Sequence, residues 1–305
     1  MLEKEVVYNN LKGKIIEGTI LLDEPMKDHT SFKIGGPVDI MVLPKNIDEI
    51  SNTVKFCKEN NINFYIIGNG SNLLVSDKGI RGLVIKISEN FSDIKVEGNR
   101  IIAQAGILLS KLSKVALRNS LKGLEFASGI PGSLGGAITM NAGAYGGEMK
   151  DVVKKVKCMD RDGNVYEYTN EEMDFGYRKS LVQKKNLIVL EVEMELCKGD
   201  YNEIKEEMDI LTEKRNAKQP LSMPSAGSTF KRPKGHYAGK LIQDAGLKGL
   251  KYGNAQVSDL HSGFIVNIGN ATCEEVLTLI KIVQKTVKDK FGVELEPEVK
   301  IIGEE

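Results

Sequence analysis

The chain has 305 residues, of which 41% are hydrophobic and 28% are charged, an ordinary composition for a folded protein. Lysine and arginine together number 42, as do aspartate and glutamate, so no net charge attracts the chain to nucleic acid or to a membrane surface. The length is sufficient for two or three domains.

The sequence also predicts a cytoplasmic chain without a metal site. Its first ten residues, MLEKEVVYNN, are too charged for a secretory signal, and no apolar run approaches the length of a membrane span. The three histidines have no metal-ligand spacing. Four cysteines are scattered without a Cys-x-x-Cys pair, as is usual for thiols in a reduced cytosol: Cys57, Cys158, Cys197 and Cys273.

Residues 1–88 are predicted to form one lobe of a larger domain. A polar helical lead is followed by a strand over Val38 to Leu43. The next segment opens with the Asn-x-x-Glu spacing of a capping box and continues with apolar residues at helical spacing, which predicts a helix over 46–60. A buried strand over 61–67 then ends in a loop over 68–72.

A second lobe is predicted over residues 89–216. Two hairpins centre on Glu97-Gly98-Asn99 and Asp162-Gly163-Asn164, where turn residues separate alternating apolar runs. A helix over 108–121 and a long alternating strand over 187–196 complete the pattern.

The remaining residues, 217–305, are predicted to form a separate C-terminal domain. Gln219-Pro220 marks the boundary after a charged helix over 204–215. The last helix begins at a Thr-x-x-Glu capping box at Thr272 and carries an apolar stripe that we assign to core packing. Helices and strands are therefore mixed throughout, and the predicted fold class is α+β.

The chain is organised around the stretch from Glu125 to Glu148, which reads EFASGIPGSLGGAITMNAGAYGGE. It is rich in glycine but keeps large apolar residues, so it is a packed segment rather than a linker. Glycine permits close approach of a ligand, and successive free N–H groups bind anions, so phosphate is the expected guest. The Walker and Rossmann patterns are both absent, since Leu73 stands where the third Rossmann glycine would follow Gly68 and Gly70.

Two glycine-rich stretches resemble those of a known flavoprotein family. IGNGSNLL, from Ile67, followed by SGIPGSLGGAITMNAGAYGGE resembles the FAD-binding domain of vanillyl-alcohol-oxidase-type flavoproteins. TSFKIGG, GYRKS, SAGSTFKRP and LEPEVK also stand in the order found in the UDP-N-acetylenolpyruvoylglucosamine reductases of peptidoglycan synthesis, and together they span nearly the whole chain. The resemblance implies an α+β fold in which lobes 1–88 and 89–216 hold FAD and an α+β domain over 217–305 binds the substrate.

The resemblance further implies that FAD binds in the two glycine-rich loops and that NADPH is the reductant. Neither loop contains histidine or cysteine, so we expect the flavin to be non-covalent. The residues expected to contact FAD are Ile67, Gly68, Asn69, Gly70, Ser71, Asn72, Gly129, Pro131, Gly132, Ser133, Gly135, Gly136, Asn141, Gly143 and Ala144.

In the family that the chain resembles, a hydride passes from NADPH to FAD and from flavin N5 to the vinyl carbon of UDP-N-acetylglucosamine enolpyruvate, giving UDP-N-acetylmuramate. By this match, Arg178 in GYRKS stabilises charge on the substrate carboxylate, and Ser228 in SAGSTFKRP donates the proton. Glu298 in LEPEVK polarises the site or hydrogen-bonds the acid. Substrate contacts are also expected from residues near these motifs: Tyr177, Lys231, Arg232, Lys240 and Lys300.

One feature of some family members is expected to be absent. They carry an additional loop between the arginine and serine motifs that lays a tyrosine over the substrate, but here predicted strand and helix occupy that interval. Which group closes over the sugar nucleotide is then open, and four tyrosines are candidates by position: Tyr145, Tyr177, Tyr237 and Tyr252. A monomer is expected, because no exposed heptad or large apolar helix face stands out.

Each catalytic candidate has an ordinary structural alternative. An arginine in the position of Arg178 is most often a surface ion-pair residue. A serine like Ser228 is most often a helix cap or a turn residue, and a glutamate like Glu298 is most often an exposed residue at a strand edge. Two other functions also stay open: a sibling FAD-dependent oxidase of another small substrate, and a non-catalytic sugar-nucleotide-binding protein. GYRKS and SAGSTFKRP argue against the first, and the presence of Arg178, Ser228 and Glu298 argues against the second.

Overall fold

The computed structural model describes residues 3–304. No helix in this range is both long enough and apolar enough to span a membrane. Eight α-helices are present among the described residues: α1 (Lys4–Lys12), α2 (Ile47–Glu59), α3 (Leu109–Arg118), α4 (Leu134–Thr139), α5 (Leu181–Lys185), α6 (Tyr201–Lys218), α7 (Ala238–Asp244) and α8 (Cys273–Phe291).

Strands accompany the helices along the whole of the described chain, and several are only two residues long. In chain order they are β1 (Thr19–Pro25), β2 (Pro37–Leu43), β3 (Phe64–Ile67), β4 (Leu73–Val75), β5 (Ile80–Lys86), β6 (Ile94–Glu97), β7 (Arg100–Gln104), β8 (Leu121–Lys122), β9 (Gly143–Ala144), β10 (Gly147–Glu148), β11 (Val153–Met159), β12 (Val165–Thr169), β13 (Ile188–Glu195), β14 (Cys197–Lys198), β15 (Lys251–Tyr252), β16 (Ala255–Val257), β17 (Ile265–Asn267) and β18 (Lys300–Ile302).

The strands form two larger sheets and several small ones. The first has the order β1-β2-β5-β3, with β3 parallel to β5 and Ile67 opposite Lys86. The second is antiparallel, with the order β12-β11-β13-β7-β6 and Val192 opposite Ala103. The strands β15-β16-β17 form a three-stranded sheet, and β4 from the first quarter of the chain pairs in parallel with β18 near its end.

By compactness the chain divides into two units that interleave in sequence. The first unit contains the described chain up to Leu22, together with Ile40–Asn69 and Gly82–Arg215. The second contains Asp23–Asp39, Gly70–Arg81 and the described chain from Asn216 onward. The predicted domains over 1–88, 89–216 and 217–305 stay predictions.

Each unit has its own apolar core. In the first unit, strands of the two larger sheets pack with α2, α3 and α4, and Ile50, Ile85 and Val192 are fully buried there. In the second unit, Phe32 and Leu74 pack with the apolar face of α8. Because these two residues belong to that core, segments from the first quarter of the chain join the C-terminal unit, which sequence patterning does not indicate. The predicted stripe of α8 is buried: Val276, Leu279, Val283 and Val287.

The helix ends test the capping predictions. The capping box at the start of α8 forms in both directions between Thr272 and Glu275. The one predicted for α2 is only half correct, because Asn46 Oδ1 accepts the Glu49 N–H at 2.9 Å but the carboxylate of Glu49 is used elsewhere. Its two oxygens accept four other backbone N–H groups at 2.7–3.1 Å, those of Ile16, Glu17, Gly18 and Lys45.

Glu49 is therefore a buried anchor for the segment that precedes β1. Burial by itself would raise the pKa of its carboxyl, but the four N–H donors outweigh burial and hold the pKa below its ordinary value of 4.5. The charged form is thus favoured in the folded chain, and Glu49 stabilises the fold at neutral pH.

Replacing Glu49 with glutamine is expected to lower the free energy of unfolding by about 2–3 kcal/mol at pH 7, because one acceptor oxygen becomes an N–H donor and the negative charge that the four N–H groups bind is lost. Since the folded pKa is depressed, this contribution is complete above pH 4.5 and is lost as the pH falls through the folded pKa. Urea unfolding at pH 7 and at pH 3 measures it. Glu59→Gln, at an exposed position on the same helix, is the control, and an equal loss in both variants would contradict the role of Glu49.

Candidate active site

In the first unit, the turn after β3 and the segment before α4 are in direct contact. Asn69 Nδ2 donates to the carbonyl of Pro131 at 2.6 Å. A Cβ placed on Gly68 would lie only 2.2 Å from Ser133 Oγ, so any side chain at residue 68 would displace the Ser133 hydroxyl from its position. The structure thus brings together parts of both glycine-rich loops, as the resemblance requires of an FAD site.

The contact leaves several backbone N–H groups without an acceptor. At the start of α4, Leu134 and Gly135 donate to the carbonyls of Ile107 and Ala105, both at 2.8 Å, which fixes the helix against the residues after β7. Among residues 3–304, the N–H groups of Gly68, Asn69, Ser133 and Gly136 have no acceptor. Free N–H groups at a helix start suit a phosphate or another anion, so these residues fit the diphosphate of a dinucleotide.

Gly68→Ala is expected to force this contact apart and to weaken FAD binding by about 1–3 kcal/mol, the usual cost of overpacking. The double variant Gly68→Ala/Ser133→Ala removes the hydroxyl that the new methyl group meets and is expected to recover part of the loss. Fluorescence titration of the apoprotein with FAD measures both affinities. Unchanged affinity in Gly68→Ala would show that this approach is not needed for the cofactor.

The rest of the first glycine loop belongs to the second unit. Gly70 has φ of 66°, and a Cβ on it would lie 2.0 Å from the carbonyl oxygen of His29, so only glycine fits. Asn72 Nδ2 donates to the carbonyl of Glu298 at 3.2 Å, and the carbonyl of Asn72 accepts the Lys300 N–H at 2.9 Å. A loop residue predicted to contact FAD is thus tied by hydrogen bonds to the LEPEVK segment.

Other predicted cofactor residues have packing roles of their own. A Cβ on Gly135 would lie 3.0 Å from Cβ of Ala105, and one on Gly143 would lie 2.8 Å from the carbonyl of Gly147. Gly143 and Ala144 form β9, paired with β10, and Ile67 is the buried last residue of β3. Close packing alone therefore explains glycine at 135 and 143, and their FAD contacts stay predictions.

Arg215, near the end of α6, is a residue to which the sequence assigns no role. Its side chain lies against the central glycine stretch, because a Cβ on Gly129 would be 3.0 Å from Arg215 Cδ. Burial lowers the pKa of the guanidinium, and the nearby Tyr145 partly offsets that effect. No carboxylate in the described range forms an ion pair with it. A single arginine in a charged helix gives no sequence signal, and only the fold reveals its neighbours.

Arg178 lies at the tip of a two-residue turn in the first unit. Gly176 and Lys179 exchange backbone hydrogen bonds of 3.1 and 3.2 Å, which leaves Tyr177 and Arg178 as the loop between them. Arg178 has φ of 57°, a left-handed conformation that non-glycine residues rarely adopt. Tyr177 is exposed, and its ring centroid is 5.1 Å from the guanidinium carbon of Arg178. Such backbone strain is typical of functional turns.

In the second unit, the structure brings the backbone segments of Ser228 and Glu298 together. The segment from Ser228 to Lys231 has neighbours on both sides: Ser228 forms a β-bridge with Phe264, and Phe230 forms one with Pro297. The Glu298 N–H donates to the carbonyl of Thr229 at 2.8 Å. Ser228 is exposed, and within the described chain its hydroxyl has no hydrogen-bond partner. The hydroxyl is therefore available to a ligand.

Three of the four basic residues predicted to contact substrate have side-chain partners within the protein. Lys231 pairs with Glu296, and Lys240 pairs with Asp244 at 2.8 Å on the surface of α7. The guanidinium carbon of Arg232 lies 4.1 Å from the ring centroid of the exposed Tyr237. Lys300 is exposed at the start of β18. The surface roles considered for Lys231 and Lys240 are thus present in the structure, and their substrate contacts stay predictions.

The interval between the arginine and serine motifs is filled by regular structure. It contains α5, β13, β14 and α6, which together leave no room for a long additional loop. All four candidate tyrosines, Tyr145, Tyr177, Tyr237 and Tyr252, have exposed side chains. Among residues 3–304, no group of three or more histidine, cysteine, aspartate or glutamate side chains is placed to hold a metal ion.

Comparison with known proteins connects these features. Residues 38–169 match the family model described as an FAD binding domain, and residues 219–302 match the one described as the C-terminal domain of UDP-N-acetylenolpyruvoylglucosamine reductase. Proteins named UDP-N-acetylenolpyruvoylglucosamine reductase are 60% identical in Alkaliphilus oremlandii, with both chains fully covered, and 53% identical in Clostridioides difficile, with 98% of each covered. The crystal structure of UDP-N-acetylenolpyruvylglucosamine reductase from Thermus caldophilus is 36% identical, with a TM-score of 0.80 over 93% of this chain and 98% of that one.

Proposed function

This chain belongs to the UDP-N-acetylenolpyruvoylglucosamine reductase family, and we propose that it reduces UDP-N-acetylglucosamine enolpyruvate to UDP-N-acetylmuramate, with NADPH as reductant and FAD as non-covalent cofactor, in peptidoglycan synthesis. The observation that carries the proposal is the exposed hydroxyl of Ser228 on a segment hydrogen-bonded to that of Glu298. The fold is α+β, with an FAD-binding domain followed by the C-terminal domain of this family.

The chemistry divides between cofactor and protein. The bound flavin supplies the two-electron transfer from NADPH to the vinyl carbon of the substrate. Negative charge then develops on the neighbouring carbon and its carboxylate, and that carbon must receive a proton. The protein must bind and orient the substrate, stabilise this charge and deliver the proton.

Ser228 is proposed to donate the proton to the substrate carbon. A serine hydroxyl is a weak acid, so its proton leaves only toward a strongly basic centre such as a carbanion-like carbon. The absence of an internal partner for this hydroxyl, among the residues that the structure describes, supports the role. Glu298, whose backbone N–H is bonded to the residue after Ser228, is proposed to polarise the site or to hydrogen-bond the acid.

Arg178 is proposed to bind the substrate carboxylate. A guanidinium is charged at every pH of interest and offers a fork of donors that matches the two carboxylate oxygens. Its position at the tip of a strained turn supports a binding role, because such conformations are kept where the surroundings determine them. Tyr177, Lys231, Arg232, Lys240 and Lys300 are proposed as further substrate contacts.

FAD is proposed to lie along the contact between the turn after β3 and the start of α4. The unpartnered N–H groups of Gly68, Asn69, Ser133 and Gly136 would hold its phosphates. Arg215 is proposed to meet an anionic group of a bound nucleotide, since its positive charge has no ion-pair partner within residues 3–304. The other loop residues named from the sequence are proposed as contacts without a distinguishing observation, with Asn141 acting through its backbone.

We further propose that the protein acts as a monomer in the cytoplasm, where the precursors of peptidoglycan are made. It binds the enolpyruvyl sugar nucleotide and neither nucleic acid nor membrane, in keeping with its balanced charge. Sedimentation of the purified protein measures the oligomeric state.

An anaerobic absorbance titration tests the proposed function directly. The purified protein is expected to show a flavin spectrum that bleaches when NADPH is added and returns when the enolpyruvyl sugar nucleotide follows. No flavin spectrum after addition of FAD would overturn the assignment of the glycine loops. Bleaching without recovery would keep the flavoprotein assignment and overturn the proposed substrate.

A further inference from the structure

We propose that Asn141 and Gln183 are positioning residues: they hold the turn that carries Arg178 and so fix where its guanidinium meets the substrate carboxylate. This role rests on the function proposed above for Arg178 and extends it. The sequence assigns Asn141 to FAD and gives no role to Gln183. The contacts of both side chains instead lead to the turn between Gly176 and Ser180.

The side chain of Asn141 makes all of its N–H hydrogen bonds to other groups of the chain. It is 1% exposed, and Nδ2 donates to the carbonyl of Gly176 at 3.2 Å and to Glu148 Oε2 at 2.6 Å. Oδ1 accepts the Lys150 N–H at 2.9 Å. Both amide protons are thereby used, one of them on the first residue of the Arg178 turn, so the side chain has no donor left for a cofactor.

The orientation of this amide is fixed by its partners. A carboxylate and a carbonyl can only accept, so they require the nitrogen on their side. A backbone N–H can only donate, so Lys150 requires the oxygen on the other side. All three partners therefore require the same orientation of the amide. The contacts with Glu148 and Lys150 keep Nδ2 directed toward the carbonyl of Gly176.

Gln183 holds the other end of the same turn. Its Nε2 donates to the carbonyl of Arg178 itself at 3.2 Å and to the carbonyl of Thr139 at 2.9 Å. The hydroxyl of the buried Ser180 also donates to Thr139 at 2.9 Å. The turn is therefore tied on both sides to residues 139–141, where α4 ends.

These ties explain how Arg178 keeps a left-handed conformation. A non-glycine residue stays at φ of 57° only where its surroundings determine the backbone, and Asn141 and Gln183 supply hydrogen bonds at residues 176 and 178. Helix α4 also begins at the segment that contacts Gly68. One helix of six residues thus relates the proposed cofactor contacts to the arginine within the first unit.

Gln183→Glu is the most direct test, because it keeps the shape and replaces the donor with an acceptor that faces two carbonyls. We expect kcat/KM for the enolpyruvyl sugar nucleotide to fall about 10- to 100-fold, the effect of a misplaced binding group, with FAD content unchanged. Asn60→Asp is the control, since it makes the same change to an amide that donates to a backbone carbonyl at the end of α2. That control is expected to keep the activity of the unmodified protein.

A double variant separates positioning from general damage. If Gln183 acts through Arg178, then Arg178→Gly and Arg178→Gly/Gln183→Glu have the same kcat/KM, because the group being positioned is already absent. A further loss in the double variant, equal to that of Gln183→Glu alone, would overturn the proposal.

Amide hydrogen exchange gives a readout that needs no activity. The Lys179 N–H, which closes the turn, is expected to exchange roughly 2- to 10-fold faster in Gln183→Glu and in Asn141→Asp, the factor that corresponds to one lost hydrogen bond. An unchanged exchange rate would overturn the proposal that Asn141 and Gln183 hold this turn, even if turnover fell. If the unmodified protein failed to turn over the sugar nucleotide, the proposed function would fail, and the exchange data would still decide whether these residues hold the turn.

Discussion

Replacing Ser228 with alanine is expected to leave reduction of the flavin by NADPH unchanged and to slow electron transfer to the enolpyruvyl substrate by about 10²- to 10⁴-fold. The first half-reaction requires no proton from this hydroxyl, whereas the second leaves a carbanion-like carbon that must be protonated. Stopped-flow absorbance separates the two, since bleaching reports the first step and the return of colour reports the second.

The neighbouring hydroxyl provides a matched control. Thr229 is buried, and its Oγ1 accepts the Ile265 N–H at 3.0 Å, so its role is structural. Thr229→Val is expected to cost about 1–3 kcal/mol of stability, because a buried N–H loses its acceptor, and to leave the ratio of the two half-reaction rates unchanged. Reoxidation at the normal rate in Ser228→Ala would remove the role proposed for Ser228.

Sequence periodicity predicts those elements whose stabilising contacts are local. α2 and α8 begin at the expected caps, and the hairpin of β11 with β12 turns at Asp162-Gly163-Asn164. Several elements are not predicted in this way, and β1 and α4 are two of them. β1 has no regular alternation of buried and exposed residues, and α4 lies in a glycine-rich stretch of low helix propensity. The start of α4 is held by hydrogen bonds from Leu134 and Gly135 to residues about thirty positions earlier, which no local pattern reveals.

The candidate site depends on local and long-range information in the same way. Arg178, Ser228 and Glu298 are predicted as site residues from motifs in a family order, because each motif is a short local string. The contacts that set their geometry are long-range: Glu298 donates to Thr229, and Asn141 donates to Gly176. Glu49 is a further example. Its spacing from Asn46 fits a capping box, but its carboxylate accepts hydrogen bonds from a distant segment of the chain. A local motif therefore does not reveal which distant groups the side chain contacts.

Replacing Arg178 with glycine is expected to lower kcat by about 10²- to 10³-fold, as when one fixed donor to a developing charge is removed. Glycine is a cleaner deletion than alanine at this position. Arg178 has φ of 57°, where glycine is unstrained and any other residue costs about 1 kcal/mol or more. Relief of this strain opposes the loss of the contact between the guanidinium and Tyr177, so the thermal unfolding temperature is expected to change little while turnover is lost.

Asn186→Gly is the control for this backbone effect. Asn186 ends α5 with φ of 51°, is exposed and lies outside the proposed site, so the substitution places glycine at another left-handed position without removing a proposed contact. Asparagine tolerates this conformation better than arginine, so the variant is expected to change stability little and to keep the turnover of the unmodified protein. Loss of turnover in both variants would assign the defect to the backbone, whereas normal turnover in Arg178→Gly would exclude its guanidinium from the chemistry. If turnover is lost only in Arg178→Gly, and its stability is little changed, the effect is due to the loss of the positive charge at the tip of this turn.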